Sequence, residues 1–316
     1  MATSPASNSC APTGRFALTV YLALSRTPHG LLDLAGPFCA ALLCRGGFPP
    51  LSVVALGCVT VFAGYTAVYA LNDIVDYRSD KRQVEGSGAD ERAGYLDAAF
   101  IRHPLAHGCL SLPAAIVWFL FWAVVAFVGA FALSPVCAWL LVAGCVLEAA
   151  YCLLLTVTHL RAIINGVVKS LGPLAAAFAV NPDPPAWFLV GLFAWVFTWE
   201  IGGQNIPADW HDATRDAATG ARTMPVVLGY RRASRLAVAT LTAGVVIAVP
   251  LFAGSPLAVS TPLSLVALLG GAWLVLPPAL RLAKNLDDAD ASALFNRASF
   301  YPALSLAVLL IHLILR

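Results

Sequence analysis

The sequence predicts an all-α integral membrane protein, a polytopic bundle of about nine transmembrane helices. Of the 316 residues, 59% are hydrophobic and only 11% are charged, and the mean hydropathy is +0.80. Soluble domains are much less apolar and more highly charged. Apolar stretches of about 20 residues, the length needed to cross a bilayer core of roughly 30 Å, recur along the chain. Short connections containing proline separate several of them.

The N-terminal segment has a different composition. Residues 1–14 (MATSPASNSCAPTG) are rich in Ser, Pro, Ala and Thr. They lack the basic start and apolar core of a cleavable signal peptide, and we expect a disordered tail. Residues 15–316 are expected to form a single transmembrane domain. The eight cysteines include no CxxC pair and lie mostly in apolar stretches, so we predict neither a metal site nor a disulfide framework from them.

Nine stretches are long enough to be spans. They lie near 28–45, 50–71, 111–132, 135–156, 161–180, 186–206, 234–253, 261–282 and 297–315. Tight connections at 133–135 and 181–185 suit antiparallel helix hairpins. Two connections are much longer, at about 73–110 and about 207–233.

Lysine and arginine concentrate in the two long loops. Cytoplasmic loops carry the excess of these residues, so the N-terminus and both long loops are expected inside. The residues responsible are Arg78, Lys81, Arg82, Arg92 and Arg102 in the first loop and Arg215, Arg222, Arg231, Arg232 and Arg235 around the second. Only Arg45 and Arg316 fall outside. This orientation predicts a site on the cytoplasmic side, which in a bacterium is that of the inner membrane.

Each long loop begins with the same acidic pattern, DxxDxxxD, at the end of an apolar stretch. The carboxylates are Asp73, Asp76 and Asp80 in the first row and Asp209, Asp212 and Asp216 in the second row. On a helix, positions i, i+3 and i+7 share one face, so each row would be a line of like charges. Crowded carboxylates repel one another and need a cation. Such hard oxygen ligands suit Mg²⁺, which shares its other positions with waters and phosphates.

Each row could instead be a solvated, charged helix end at the membrane surface. Three features favour a site. The spacing is repeated, the charge bias places both rows on one side of the membrane, and amide side chains precede each row. These amides are Asn72 before the first row and Gln204 and Asn205 before the second row.

Two acidic rows that face each other are suited to a diphosphate. Mg²⁺ ions held by the rows would bridge to its oxygens and stabilise it as a leaving group. The apolar bundle would accept a hydrocarbon tail. The substrate indicated is an allylic prenyl diphosphate, whose C–O bond ionises to a carbocation that a second substrate, the acceptor, intercepts.

The chain resembles the UbiA family of intramembrane prenyltransferases. With Asn72, the first row reads NDxxDxxxD, the family's motif at the end of the second helix. Residues 209–229 resemble the family's DxxDxxxDxxxGxxTxPVxLG run almost throughout, and residues 26–29 (RTPH) look like the start of its first helix. The likeness covers nearly all of the chain after residue 15.

The resemblance implies a Mg²⁺-diphosphate site at the cytoplasmic mouth of the bundle. The implied metal ligands are Asn72, Asp73, Asp76, Asp80, Asp209, Asp212 and Asp216. We take Asp76, Asp80, Asp212 and Asp216 as catalytic as well. The chain departs from the family pattern at 81–88 (KRQVEGSG), where an Asn-Arg-Pro-type run usually leads into an Arg-Pro. It also has Ala217 where a basic residue is common. Both departures concern the acceptor and its basic contacts.

Further polar residues complete the predicted site. Arg161, Asn165 and Lys169 recur at i, i+4 and i+8 in the fifth span. Lys169 lies so deep that an unpartnered ammonium would be costly, so we predict that it faces the diphosphate as a catalytic residue. Snorkelling to the interface explains Arg161 equally well. The predicted substrate-binding residues are Asn72, Arg78, Lys81, Tyr151, Arg161, Asn165, Arg215 and Arg222.

Three other ionisable residues lie within spans: Asp33, Glu148 and Glu200. Their position makes them functional candidates, although Asp33 could equally pair with a neighbouring arginine. In the first long loop, residues 90–101 are weakly amphipathic and could form a short surface helix. This helix could close over the site as a lid, or the segment could be a flexible connector. Apart from His103 and His107, the histidines lack HxxxH spacing, and we predict no zinc site.

The leading hypothesis is Mg²⁺-dependent transfer of a prenyl group from a polyprenyl diphosphate to an aromatic acceptor, a quinone or pigment precursor. The alternative is a UbiA-like transferase with a non-aromatic acceptor, such as a sugar-phosphate or glycerol-phosphate transferase acting on a lipid phosphate. A CDP-alcohol phosphotransferase is disfavoured because neither row is followed by Gly-x-x-Ala-Arg. A cation transporter is disfavoured because the inverted-repeat, broken-helix pattern is missing. The expected partners are the bilayer, a prenyl diphosphate and a small acceptor, with no nucleic acid; oligomeric state is left open.

Overall fold

A computed structural model describes residues 14–86, 95, 96 and 100–316 of the chain. Within these ranges the structure is helical and has no strand. The helices are α1 (Gly14–Leu24), α2 (Thr27–Asp33), α3 (Ala35–Arg45), α4 (Leu51–Gly86), α5 (Leu112–Leu133), α6 (Pro135–Leu153), α7 (Arg161–Val180), α8 (Ala186–Trp199), α9 (Ile206–Trp210), α10 (Ala213–Thr219), α11 (Met224–Leu228), α12 (Tyr230–Gly254), α13 (Thr261–Asn285), α14 (Asp288–Ser299) and α15 (Tyr301–Leu315). A π-helical segment, Glu200–Asn205, joins α8 to α9. The predicted tail before Gly14 and most of the predicted surface helix at 90–101 lie outside the described residues.

Eight helical stretches in the described part of the chain are long and apolar enough to cross a bilayer. They are Leu51–Arg82, Leu112–Leu133, Pro135–Leu153, Arg161–Val180, Ala186–Trp210, Tyr230–Gly254, Thr261–Asn285 and Asp288–Leu315. The predicted class, an all-α polytopic membrane bundle, is confirmed. The predicted count of about nine is approximate because the first predicted span is not one continuous helix.

That first span, 28–45, is divided into α2 and α3, which are 7 and 11 residues long. Neither is long enough to cross the bilayer core alone. The break falls at Leu34, which ends α2 and precedes α3. Pro37 explains it, because proline has no N–H to donate to the carbonyl of Asp33, four residues earlier. Hydrophobicity alone could not reveal this break.

The longest helix, α4, carries the first acidic row. Its 36 residues correspond to about 54 Å at the rise of an α-helix, so it extends well beyond a bilayer core. It packs against α5 and α6, and α7 lies between α6 and α8. The helix therefore continues beyond the predicted span boundary at residue 71 and through the first row.

The main apolar core lies among α3, α7, α8 and α12–α15. Two buried tryptophans of α8 bond this helix to the C-terminal helices α14 and α15. Trp195 Nε1 donates to the hydroxyl of Tyr301 at 3.0 Å, and Trp199 Nε1 donates to the carbonyl of Ala298 at 2.8 Å. These bonds position α8, and with it the π-helical segment that leads to the second row.

One of the described cysteines is not a free thiol, which the sequence analysis did not predict. The free cysteines are Cys39, Cys44, Cys58, Cys137, Cys145 and Cys152. Cys109 is disulfide-bonded. This bond departs from the prediction that the cysteines form no disulfide framework, because the sequence around Cys109 has no CxxC spacing that would reveal it.

Close packing of the π-helical segment on α12 leads to the first testable prediction. A Cβ placed at Gly202 would come within 2.8 Å of the Ala237 carbonyl oxygen, so we expect Gly202→Ala to destabilise the protein by about 1–3 kcal/mol through backbone displacement. The matched control is Gly57→Ala, where the added methyl group meets nothing within 4 Å and helix propensity improves. Thermal unfolding in detergent measures both, and equal Tm values would contradict the packing argument.

Candidate active site

The two acidic rows line one cavity of about 610 Å³. The row members on its wall are Asp76 and Asp80 from α4 and Asp209, Asp212 and Asp216 from α9, α10 and the turn between them. The remaining member, Asp73, is not on the wall and its side chain is only 3% exposed. The structure thus brings together rows that are more than a hundred residues apart in sequence.

The two rows are built differently. The first row lies on one continuous helix, as its spacing predicts. The second row does not, because α9 ends at Trp210 and Asp212 is the N-cap of α10. The backbone N–H of Asp216 still donates to the carbonyl of Asp212 at 2.7 Å, which holds these two residues one turn apart. The expectation of one unbroken helical face is therefore wrong for the second row.

The first row is paired with cations from two other segments. His103 Nδ1 lies 2.8 Å from Asp80 Oδ2 and 3.5 Å from Asp73 Oδ1. Arg26 lies 3.5 Å from Asp73 and donates to Asn72 Oδ1 at 3.1 Å. Burial opposes the charged imidazole, but the adjacent Asp80 carboxylate raises the pKa of His103 above its ordinary value. Positive charge therefore offsets part of the repulsion within this row.

The second row is paired with arginines. Arg161 Nη2 lies 3.6 Å from Asp209 Oδ1, and its guanidinium stacks over the Tyr151 ring at 4.3 Å. Arg102 Nη1 lies 3.5 Å from Asp212 Oδ2. Arg102 and the neighbouring His103 thus reach different rows, so the far end of the first long loop connects the two halves of the site.

Sequence reasoning missed Arg102 and His103 as site residues. In the sequence, Arg102 contributes only to the charge of the first long loop, and His103 stands out only for its spacing to His107. The departure from the family pattern at 81–88 had placed the basic contacts in question. The structure supplies them about 20 residues later, where the sequence reads Arg102-His103-Pro104. The available signal is an arginine close to a proline near the end of the first long loop.

The predicted substrate-binding residues divide into two groups. Those that line the cavity are Asn72, Tyr151, Arg161 and Asn165. Those that do not are Arg78, Lys81, Arg215 and Arg222. Arg78 and Lys81 are exposed, because their positions on α4 turn them away from the face shared by Asp76 and Asp80. Arg215 lies 3.9 Å from Asp212, outside the cavity wall.

Lys169 also lines the cavity, but its ammonium is already bonded. Lys169 Nζ donates to Asp33 Oδ2 and to the hydroxyl of Tyr69, both at 2.6 Å. The Asp33 carboxylate also accepts from Tyr69. The lysine therefore neutralises a buried carboxylate within the bundle, in addition to any contact with a substrate.

The donor atoms fit Mg²⁺. Carboxylates outnumber cationic side chains along the cavity wall, so the site retains negative charge for a divalent cation to neutralise. Nearly all of the available donors are carboxylate and amide oxygens, the ligands that Mg²⁺ prefers. Asn205 Oδ1 is buried and has no hydrogen-bond partner among the residues that the structure describes. It lies beside the second row and can serve a cation there.

Comparison with protein-family models matches residues 34–301 to the UbiA prenyltransferase family. The chain belongs to this family. The resemblance seen in the sequence is confirmed, and the protein is a membrane-embedded prenyltransferase. A comparison with curated protein sequences found no match.

Solved structures show the same fold. A UbiA homologue from Aeropyrum pernix K1 in its apo form has a TM-score of 0.69 at 18% identity, over 90% of this chain and 97% of that chain. A digeranylgeranylglyceryl phosphate synthase has a TM-score of 0.65 at 16% identity, over 95% and 99%. A UbiA homologue from Archaeoglobus fulgidus bound to DMAPP and Mg²⁺ has a TM-score of 0.62 at 18% identity, over 92% and 99%.

Proposed function

We propose that this protein transfers a prenyl group from a polyprenyl diphosphate to an aromatic acceptor, a quinone or pigment precursor, with Mg²⁺ held by the two acidic rows. The observation that carries the proposal is that both rows and a long apolar channel belong to one cavity. The Archaeoglobus fulgidus homologue supports it, since that protein was solved with DMAPP and Mg²⁺ and with GPP and Mg²⁺.

The acidic end of the cavity would hold the diphosphate. When bound, Mg²⁺ supplies the positive charge that stabilises the departing diphosphate. Asp76 and Asp80 face this end from one side, and Asp209, Asp212 and Asp216 from the other. Arg102 and Arg161 stand at the second row, where their guanidinium groups can donate to phosphate oxygens. The lysines and arginines of the two long loops favour the cytoplasmic side for this end, because cytoplasmic loops carry the excess of these residues.

The other end of the cavity suits a long hydrocarbon tail. Its wall follows α4 from Asp80 back to Val53, a distance of about 40 Å at the helical rise. Apolar side chains line this channel, among them Val61, Leu141 and Leu306. A channel of this length favours polyprenyl over short donors.

Gly57 provides a test of the channel. It lines the cavity, a Cβ there meets nothing within 4 Å, and it lies about 30 Å along α4 from Asp76. We expect Gly57→Phe to lower kcat/KM for octaprenyl diphosphate at least about tenfold, because two methylenes kept out of an apolar site cost about 1.6 kcal/mol. Geranyl diphosphate is too short to reach Gly57, so its kcat/KM should be the same as in the unmodified protein.

The control for this experiment is Ala55→Phe, since Ala55 is exposed on α4 and does not line the cavity. It should change neither donor preference nor rate. An unchanged preference for octaprenyl over geranyl diphosphate in Gly57→Phe would show that the tail lies elsewhere.

Aromatic side chains support an aromatic acceptor. His29 stacks on Phe295 with 5.4 Å between ring centroids, and its ring meets the edge of Tyr69 at 6.2 Å. All three residues line the cavity, and so does Arg26. A flat ring bearing an anionic group would find both stacking partners and a cation in this region.

A non-aromatic acceptor is the second candidate. Arg26, Arg102 and Arg161 all line the cavity, and three guanidinium groups could bind an acceptor phosphate in addition to the donor diphosphate. The structurally similar digeranylgeranylglyceryl phosphate synthase favours this reading. Such an acceptor would be a glycerol phosphate, or a lipid phosphate that receives a sugar phosphate.

The deciding experiment is an assay of purified protein in detergent with Mg²⁺. Radiolabelled geranylgeranyl and octaprenyl diphosphates are supplied with 4-hydroxybenzoate, 1,4-dihydroxy-2-naphthoate or glycerol phosphate, and prenylated product and released pyrophosphate are measured. We expect a prenylated phenol. Product with glycerol phosphate alone would favour the second candidate, and absence of pyrophosphate release under every condition would overturn the assignment.

A further inference from the structure

The π-helical segment presents three polar side chains to the cavity. Glu200, Gln204 and Asn205 all lie on its wall, as expected when i, i+4 and i+5 positions meet in the wider turn of a π-helix. Single π-helical turns are rare and occur frequently at functional sites. Asn205 lies beside the diphosphate end, so Glu200 and Gln204 face a deeper part of the cavity.

Glu200 is bonded on one side only. The residue is 2% exposed, and its Oε1 accepts a hydrogen bond from Asn165 Nδ2 at 2.8 Å. Oε2 is buried and has no hydrogen-bond partner in the described ranges of the chain. A buried carboxylate oxygen without a hydrogen-bond donor is costly in free energy. Oε2 is therefore placed to accept a hydrogen bond from a bound ligand.

The other carboxylates nearby already accept hydrogen bonds from neighbouring side chains. Asp33 is bonded to Lys169 and Tyr69, and Glu148 accepts from Asn72 Nδ2 at 2.7 Å. Lys169, the cation on the same face of α7 as Asn165, donates to Asp33 and Tyr69. Glu200 therefore keeps an acceptor atom that its charged neighbours do not use.

The depth of Glu200 suits the reacting carbon. Arg161 pairs with Asp209 at the diphosphate end, and Asn165, which bonds Glu200, follows Arg161 by one turn of α7. One turn corresponds to about 5–6 Å. Along its own segment, Glu200 lies one π-helical turn before Asn205 and nine residues, about 13 Å at the helical rise, before Asp209, which places it on the hydrocarbon side of the diphosphate position, where the allylic end of the donor and the acceptor would meet.

We propose that Glu200 is a catalytic residue that binds a hydroxyl group of the acceptor through Oε2 and receives its proton. This inference rests on the proposed function. The allylic C–O bond breaks and its electron pair leaves with the diphosphate. The acceptor supplies an electron pair to the allylic carbon, forming a C–C or C–O bond, and the proton that it loses passes to the Glu200 carboxylate. The products are the prenylated acceptor, pyrophosphate and protonated Glu200.

The test compares two reactions of Glu200→Gln. With the panel of 4-hydroxybenzoate, 1,4-dihydroxy-2-naphthoate and glycerol phosphate, we expect prenyl transfer to fall by about 10²–10⁴-fold, the contribution of a positioned general base. Pyrophosphate release with Mg²⁺ and donor alone should stay at the unmodified rate, because breaking the C–O bond requires no base. Glu200→Asp, which restores a carboxylate, should recover part of the transfer rate.

The control is Ile201→Val, a mild change of a buried residue in the same segment that does not line the cavity. It should leave both reactions intact. Transfer by Glu200→Gln at the unmodified rate would overturn the role of Glu200. So would an equal loss of both reactions, which is the signature of a structural role. If the unmodified protein releases no pyrophosphate, the proposed function itself fails.

Discussion

Asparagine at Asp76 or Asp212 is expected to lower turnover by about 10³-fold. Each substitution keeps the shape of the side chain and removes one carboxylate from a different row. The lost charge weakens the electrostatic stabilisation of the departing diphosphate, and single contributions of this kind are worth about 10²–10³-fold. Chelation of Mg²⁺ by EDTA should stop turnover of the unmodified protein completely, with recovery when Mg²⁺ is restored.

The double variant, Asp76→Asn with Asp212→Asn, distinguishes one site from two. If both rows hold the same diphosphate, they act as a unit, and removing the second carboxylate adds little to the first loss. Asp183→Asn is the control, because Asp183 is exposed in the connection between α7 and α8 and does not line the cavity. Multiplicative losses in the double variant, or substantial activity in either single variant, would contradict a shared diphosphate site.

The membrane fold could be predicted because its signals are local. Each span is a continuous apolar stretch, and the first row keeps its spacing on one continuous helix, α4. The second row shows where a local signal is insufficient. Pro207 lies at the start of the five-residue helix α9, and the chain turns again before Ala213, so three aspartates with identical spacing are held on two short helices.

The pairing of charges could not be predicted in the same way. His103 meets Asp80, and Arg102 meets Asp212, which lies 110 positions further along the chain. No spacing rule connects such residues. Only the packed bundle decides which cation is near which carboxylate, so the charge bias of the loops predicts an orientation in the membrane but no contacts.

Asp33 and Lys169 show the same limit within the membrane. Sequence position marked both as costly to bury but did not show that they pair across 136 positions. Our sequence-based expectation placed Lys169 at the diphosphate as a catalytic residue. Its bonds to Asp33 and Tyr69 give it a second role that can be separated experimentally from the first.

Replacement of Lys169 by methionine is expected to destabilise the protein by about 3–5 kcal/mol, because it leaves the Asp33 carboxylate buried without its cation. The two side chains are only 13% and 4% exposed, so water screens the pair poorly. Lys284→Met, at an exposed position of α13, should leave the free energy of unfolding nearly unchanged. Unfolding by denaturant in detergent micelles measures both variants.

The double variant Asp33→Asn with Lys169→Met separates stability from catalysis. Removing both charges abolishes the uncompensated carboxylate, and we expect most of the lost stability to return. If Lys169 also acts on the diphosphate, turnover stays low in this folded double variant. Recovery of turnover together with stability would show that the lysine serves the Asp33 pair alone. If the double variant does not recover stability, the stability lost in Lys169→Met does not come from breaking the ion pair with Asp33.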